Sequence, residues 1–442
     1  MSHVFHRMSI GELPRAVRSE GVWVEDDTGR RYLDAAGGAI VVNVGHGRAE
    51  VAAAIAEQAA RVAYVHGSAF TTDAIEAYAE ELAPILPMRD PRIYPVSGGS
   101  EAVETAFKLA RAYHLSRADS SRHKIVARRS SYHGNSRGAL DASGRASLRA
   151  PYEPWLGQSL HVPAVYEYRC PLPEHPVACG AAHASELEAL FEREDPATIA
   201  AFIAEPVGGA TLAAAVPPDD YWPAVAEVCR RHGVLLIADE VMTGFGRTGR
   251  WFGLDHWGVE PDVLVAGKGT ASGYWPLGLC VASGAVFEAI HETGFVHGFT
   301  YSHHPVGVAA GRAVLSLLTS EGLVEASAVQ GKQLLEGLRD RLADSPIVGD
   351  IRGLGLLIGI ELVRDRETRE PFERVARVTE RVTSTAKDLD LLLYPSTGCA
   401  DDRRGDAVLL GPPFTISDEE VDVAVDRTAL AIERTAAQLA DS

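Results

Sequence analysis

The sequence predicts an α/β protein: a large, mostly parallel sheet domain accompanied by a smaller α+β domain. Three observations carry this expectation. Short, wholly apolar runs such as Val234-Leu235-Leu236-Ile237-Ala238 and Val263-Leu264-Val265-Ala266 alternate with amphipathic stretches between residues 90 and 280. A strand that is apolar on every side is buried on both faces, which is the habit of parallel sheets covered by helices. From residue 311 onward the texture changes to long amphipathic stretches, and 442 residues supply enough chain for more than one core. The expected division is residues 1–50 as an N-terminal segment joining the small domain, 51–310 as the large domain, and 311–442 as the small α+β domain.

Taken in order, residues 22–33 read as a β-hairpin, two alternating runs flanking a polar turn with Asp27 and Gly29. No sheet of its own lies near it, so it is expected to join the C-terminal domain. Residues 49–62 form an alanine-rich helical pattern. A strand over 93–96 is followed by Ser97-Gly98-Gly99-Ser100 and a helix over 101–115, with Ala102, Ala106, Leu109, Ala110 and Tyr113 on one face. Residues 125–127, 199–204, 234–238 and 263–266 read as buried strands, and 221–231 as a helix. One long amphipathic helical stretch is expected over 311–344, then the apolar run 353–362, a helix near 371–389 and a final helix near 417–440.

A net charge of -18 argues against nonspecific nucleic-acid binding and against an anionic membrane surface. No apolar run of membrane-spanning length is present, and Met1-Ser2-His3-Val4-Phe5-His6-Arg7 has no apolar core of a signal peptide behind it. The five cysteines, with no C-x-x-C, suggest neither a disulfide framework nor a zinc site and point to a reducing cytoplasm.

The chemistry gathers at strand ends, where open α/β sheets bind ligands. Ser97-Gly98-Gly99-Ser100 stands between a strand and a helix, where glycines and free N–H groups suit a phosphate, held by Gly99 and Ser100. Simple helix capping by Ser100 explains the same residues. Asp239-Glu240 ends an apolar strand, a costly place for an acid without a cationic partner. A pyridinium nitrogen is such a partner, and a carboxylate there keeps a pyridoxal ring electron-withdrawing; a structural salt bridge is the plainer alternative. Tyr132-His133-Gly134 places an aromatic where it can stack on a flat cofactor or simply pack. Lys268 ends the next strand, between two glycines. The chain holds five lysines against thirty-seven arginines, so lysine is not its means of carrying charge. Unlike arginine, its amine can lose a proton and attack a carbonyl. A competing pattern, Gly244-Phe245-Gly246-Arg247-Thr248-Gly249, fits G-x-G-x-x-G, but no helix start follows it, so these glycines are expected to shape a loop near the site.

Together these motifs, with Ala204-Glu205-Pro206, Leu236-Ile237-Ala238-Asp239-Glu240-Val241 and Gly267-Lys268-Gly269, stand in an order that resembles the class III (omega-type) aminotransferases. The resemblance spans residues 22–414 and implies pyridoxal-phosphate fold type I, with a seven-stranded type of large sheet. It implies pyridoxal 5'-phosphate as cofactor, bound as an aldimine on Lys268, with Asp239 at the ring nitrogen. Val241 and Tyr132 would lie on the two ring faces with His133 beside them, and Gly99 and Ser100 would hold the phosphate. Glu205 would face the substrate side, and Thr300 would reach the phosphate of a neighbouring subunit, which makes a homodimer with shared sites. Partners would be small amine and keto-acid substrates. Three departures bear on specificity: Gly208 stands where many relatives have a glutamine, Asp402 stands where many have a carboxylate-binding arginine, with Arg403 and Arg404 next to it, and Ile40 stands where amine transaminases often have a tryptophan. Decarboxylation, racemisation or an aminomutase reaction would need the same cofactor residues.

Overall fold

The computed structural model describes residues 3–7, 13–172 and 179–440. Its largest element is a seven-stranded sheet in the spatial order Arg92–Val96, Gly278–Ala282, Val263–Ala266, Leu235–Asp239, Ile199–Ala204, Lys124–Arg128, Leu160–Val162. All the pairings are parallel except those of Gly278–Ala282, which runs antiparallel to both of its neighbours. The expected mostly parallel sheet is therefore present, and six strands deliver their C-terminal ends to one edge.

Alternation along the strands separates two apolar layers. Phe202, Ala204, Leu236 and Ala238 pack with Leu187 and Phe191 of helix Gly180–Arg193 and with Trp222 and Val225 of helix Tyr221–His232. Ala201, Ile203, Leu235 and Ile237 pack on the other face with Ala102, Ala106 and Leu109 of helix Gly99–Ser116. The same parity assigns Asp239 to the Gly99–Ser116 side and turns Glu240 away from it.

A four-stranded antiparallel sheet follows, in the order Val348–Leu354, Leu357–Leu362, Asp406–Leu410, Tyr394–Thr397. Helices Leu323–Arg341, Val378–Asp388 and Asp418–Ala440 belong to the same stretch of chain. Trp23–Asp26 and Arg31–Asp34 form the N-terminal hairpin, whose turn is fixed by Asp26 Oδ1 accepting from the backbone N–H of Thr28 and of Arg30. Arg31–Asp34 then takes Leu391–Leu392 as a parallel neighbour, so the first strands lie against the last third of the chain.

Three expectations need correction. The stretch 311–344 is two helices, Pro305–Ser320 and Leu323–Arg341, bent by 65° at a break where Gly322 takes φ +61°. A left-handed residue ends a helix and favours glycine there. The helix near 371–389 begins only at Val378, because Arg377 is left-handed at φ +52° and the preceding residues form a short 3₁₀ turn, Arg374–Ala376. Strands Leu160–Val162 and Gly278–Ala282 were not expected: the first is three residues long, and the second follows a loop and reads as a continuation of it. Among the described residues no single helix is long and apolar enough to cross a membrane.

Candidate active site

The order of the large sheet sets the ends of Arg92–Val96, Val263–Ala266, Leu235–Asp239, Ile199–Ala204 and Lys124–Arg128 in a row. The residues that follow these ends are Ser97, Lys268 (after Gly267), Glu240, Glu205 and the 129–134 turn. Glycines let them close together. A Cβ on Gly99 would meet the Val241 methyls at 3.0 and 3.1 Å, and one on Gly267 would lie 3.4 Å from the Gly99 nitrogen. Gly134 has φ +138°, and a Cβ there would fall 2.4 Å from Ser100 Oγ. The start of helix Gly99–Ser116, the residue before Lys268 and the residue after Glu240 are thus in van der Waals contact.

At that helix start Gly98 is extended and caps with no side chain. The first N–H groups are left without side-chain acceptors, which makes a ready anion site. Ser97 N–H donates to Glu101, and Ser100 Oγ accepts from Asn135 N–H at 3.1 Å, which fixes both residues around the opening. The buried Ser97 hydroxyl has no partner among the described residues.

Asp239 is buried, and His133 Nδ1 lies 2.6 Å from its Oδ2. Its other oxygen accepts from Val241 N–H at 3.1 Å. The His133 backbone N–H donates to Ser143 Oγ at 2.8 Å, which anchors the residue, while its ring Nε2 has no partner among the described residues. Glu240 points the other way: its carboxylate accepts from Gly253 and Leu254 N–H at 2.8 and 2.9 Å and from the Thr243 hydroxyl. Two consecutive acids therefore do different things, as strand alternation requires.

Lys268 stands in the left-handed region at φ +45°, an uncommon place for a side chain and one that must be held by its surroundings. Its amine makes no hydrogen bond or ion pair among the described residues. Burial lowers its pKa below the ordinary lysine range; Asp239 and Glu205 pull it back up, and Arg247 pushes it down. Gly269, next to it, has no room for a side chain, since a Cβ would lie 2.4 Å from Asn43 Nδ2. Tyr132 is partly buried beside these groups, and burial raises its pKa, with Tyr394, Arg7, Asp239 and Arg145 all near enough to act on its charge. Glu205 is buried, which pushes its carboxyl pKa up, and its Oε1 accepts from Gly209 N–H at 3.1 Å. Arg128 reaches the Glu205 backbone carbonyl at 2.5 Å.

The structure thus brings Gly99, Ser100, Tyr132, His133, Glu205, Asp239, Val241 and Lys268 to one edge of the sheet. Thr300 is apart from them, exposed on the 295–303 loop, where its carbonyl accepts from Tyr64 OH at 2.8 Å. Asp402 accepts from Ser130 Oγ at 3.0 Å. Neither neighbouring arginine takes up the role of the missing one: Arg403 is exposed, and the Arg404 guanidinium is engaged by Asp401 and Glu373. Gly208 pairs with Ala215 in a two-residue bridge, and a side chain there would meet ordinary contacts at 3.4 Å. Ile40 is buried at φ +56°, in one apolar cluster with Tyr166, Val207 and Leu409.

Two arginines escaped the sequence reading. Arg145 donates from Nη2 to the carbonyl and hydroxyl of Thr397 at 2.9 and 3.2 Å, while its buried Nε has no partner among the described residues; Tyr132, Tyr394 and Asp402 act on its charge. Nothing in its local pattern marks it. Arg247, inside the glycine-rich pattern, is fully buried and donates to the carbonyls of Leu356, Pro412 and Val42 and to Asn43 Oδ1 at 2.7–3.0 Å. Its cation lies 4.6 Å over the Phe414 ring, and burial pulls its pKa down to about 9. The six-residue pattern is therefore a structural loop, as expected.

Known proteins resemble the chain over nearly its whole length. The family model for "Aminotransferase class-III" matches residues 10–432. An uncharacterized aminotransferase, YodT, of Bacillus subtilis is 38% identical over 423 residues, covering 94% of this chain and 95% of its own. An (S)-enantioselective omega-transaminase from Thermomicrobium roseum superposes with a TM-score of 0.91 at 39% identity, covering 98% and 96% of the two chains. An amine transaminase from an uncultivated Pseudomonas species, solved in its PLP-bound form, superposes with a TM-score of 0.91 at 36% identity over 98% and 99%. The chain belongs to the class-III aminotransferases, enzymes of fold type I that depend on pyridoxal phosphate.

Proposed function

We propose that this transaminase moves an amino group from an amine or amino-acid donor to a keto acid or aldehyde, with Lys268 as the reactive amine. The observation that carries the reading is a half-buried lysine amine, without a hydrogen bond or ion pair among the described residues, within electrostatic reach of a carboxylate that a histidine holds at 2.6 Å. The residues fit the cofactor: a helix start with free N–H groups and an unpartnered Ser97 hydroxyl for the phosphate, and an acid for the ring nitrogen. When bound, pyridoxal phosphate supplies an aldehyde that condenses with amines and a ring that spreads the electron pair left by a departing α-proton.

The chain's own residues do the rest. Gly99 and Ser100 would donate backbone N–H groups to the phosphate. Asp239 would hold a proton on the ring nitrogen, with His133 keeping that carboxylate in line. Val241 and Tyr132 would pack against the ring and exclude water. Lys268 Nζ, whose pKa burial lowers, would take up the donor's α-proton and give it back. Arg145, with an unpartnered buried Nε beside Tyr132, is placed to draw an acceptor's carboxylate in the absence of an arginine at position 402.

The same reading makes the enzyme a cytoplasmic homodimer in which Thr300 of each protomer reaches the phosphate of the other. The exposed Tyr64, Phe70, Val296 and Tyr301 near that loop or on neighbouring turns support a partner surface. It divides the chain near residues 50 and 310; the pairing of Arg31–Asp34 with Leu391–Leu392 supports the N-terminal segment joining the C-terminal part, while residue 310 lies inside helix Pro305–Ser320.

The test is Lys268→Ala, assayed for alanine formation from pyruvate across a panel of amine donors. A positioned base contributes about 10²–10⁴-fold, so turnover should fall by at least that factor. Undiminished turnover in the variant overturns the assignment of Lys268. Carbon dioxide release or racemisation by the wild type with no alanine overturns transamination.

A further inference from the structure

Away from the sheet edge described above, Cys170, Cys179 and His183 bring two sulfurs and an imidazole together. Cys170 follows the 3₁₀ turn Glu167–Arg169, Cys179 is the N-cap of helix Gly180–Arg193, and His183 lies one turn into that helix. The backbone bond from His183 N–H to the Cys179 carbonyl, 3.1 Å, sets the last two on one helix face. Cys170 Sγ is 4.0 Å from Cys179 Sγ and 3.6 Å from His183 Nε2, and all three donor atoms lie within 4.8 Å of one another.

These separations have a chemical meaning. Zinc bonds of about 2.3 Å to sulfur and about 2.0–2.1 Å to nitrogen, set tetrahedrally, give ligand–ligand edges of roughly 3.5–3.8 Å. The separations of 4.0 and 3.6 Å fall within a few tenths of an ångström of those edges. The set of two thiols and one imidazole is also what zinc selects over harder cations. Cys179 and His183 are buried, and Cys170 is partly exposed, which leaves an entry path on its side. The helix start is packed and anchored: the Tyr221 ring stands edge-on to His183 at 6.5 Å, and Ala181 N–H donates to Asp220 at 2.8 Å.

We propose that Cys170, Cys179 and His183 form a zinc site, with the fourth position taken by water or another donor. The spacing C-x₈-C-x₃-H is not one of the short-spaced zinc patterns, which is why the sequence did not suggest it. Its place in the fold gives it a structural role. The bound ion ties the 167–170 turn to the start of a helix on the large sheet. In that turn, Arg169 Nε reaches Glu361 of the C-terminal sheet at 2.5 Å, and Glu361 is also 3.2 Å from Arg352. Tyr166 shares an apolar cluster with Ile40, with Met242 and Tyr394 packed against it. Zinc would therefore brace a wall that reaches from the large sheet to the pocket flank.

The experiment uses the full-length holoenzyme, purified with a thiol reductant and without a metal-affinity step, then dialysed. Elemental analysis should find about one zinc per chain, as for a structural site with buried thiolates. Replacement by Co²⁺ should give the visible bands of a tetrahedral cobalt thiolate. Cys170→Ser and His183→Ala should each lose the metal and the bands, and in the wild type Zn²⁺ should shield Cys170 from alkylation. Cobalt titration of the unaltered protein needs no variant to fold. Fully reduced protein that takes up neither Zn²⁺ nor Co²⁺, variants that keep the wild-type stoichiometry, or a Cys170–Cys179 disulfide in protein made under reducing conditions would each overturn the site. Transaminase activity tests a different question, so either proposal can fail alone.

Discussion

At the scale of single residues, Lys268 shows how local and distant sequence share control of one pKa. Desolvation is the largest influence and lowers it, Asp239 and Glu205 raise it, and Arg247 lowers it again. The neutral amine is the form that attacks an aldehyde, so the rate at which cofactor-free protein takes up pyridoxal phosphate should rise with pH, with a midpoint below the ordinary lysine value of 10.5. Glu205→Gln removes an anion that favours the ammonium, so the midpoint should move lower still. Burial raises the pKa of Glu205 itself, so the comparison belongs on the alkaline side, where its carboxylate is charged. An unmoved or raised midpoint in the variant contradicts this account. The positions of Lys268 and Asp239 were legible because each terminates an apolar run. The bond between His133 and Asp239 was not, since 106 residues separate them and only the sheet order brings them together. Arg145 and Arg247 were illegible for a related reason: what distinguishes them is the carbonyls they meet, and those come from remote parts of the chain.

At the scale of elements, legibility follows length and burial. Ile199–Ala204, Leu235–Asp239 and Val263–Ala266 are buried along their whole length, and their sequences say so. Gly278–Ala282 is equally buried, but its reversed direction has no signature in five residues. The break at Gly322 shows the limit of periodicity, because apolar spacing continued through a residue whose φ of +61° ends the helix. The turn after Leu235–Asp239 depends on Glu240, which anchors Gly253 and Leu254 and whose pKa burial pushes up from 4.5 to about 7. The folded state then keeps a proton that the unfolded chain releases above 4.5, so this contribution is full below 4.5 and lost as pH rises through about 7. Its size is on the order of 3 kcal/mol. Glu240→Gln cannot titrate, so the melting temperature of the wild type minus that of the variant should shrink as pH rises from 4.5 to 8. A difference that stays constant or widens over that range refutes the linkage.

At the scale of the whole molecule, parts far apart in sequence converge on the loop that carries Arg247. One guanidinium holds Val42 and Asn43 from the N-terminal segment, Leu356 from the turn of the C-terminal hairpin and Pro412 from the segment after Asp406–Leu410. The loop beside Lys268 is thereby coupled to how the rest of the chain packs. The proposed dimer extends that dependence to a second copy, since Thr300 is exposed and forms no hydrogen bond with Gly99, Ser100 or Lys268 of its own chain. This has a consequence that mixing can reveal. Lys268→Ala lacks the reactive amine, and Thr300→Glu sets a negative charge where a neighbour's phosphate would bind, so each homodimer should be nearly inactive. After subunit exchange, the mixed dimer joins the intact Lys268 of one chain to the intact Thr300 of the other, and one of its two sites is whole. Activity of the mixture should then rise well above the sum of its parts, in proportion to the mixed dimer measured by native mass spectrometry. If exchange is seen and activity stays at that sum, each site is built from a single chain and Thr300 has no part in its neighbour's.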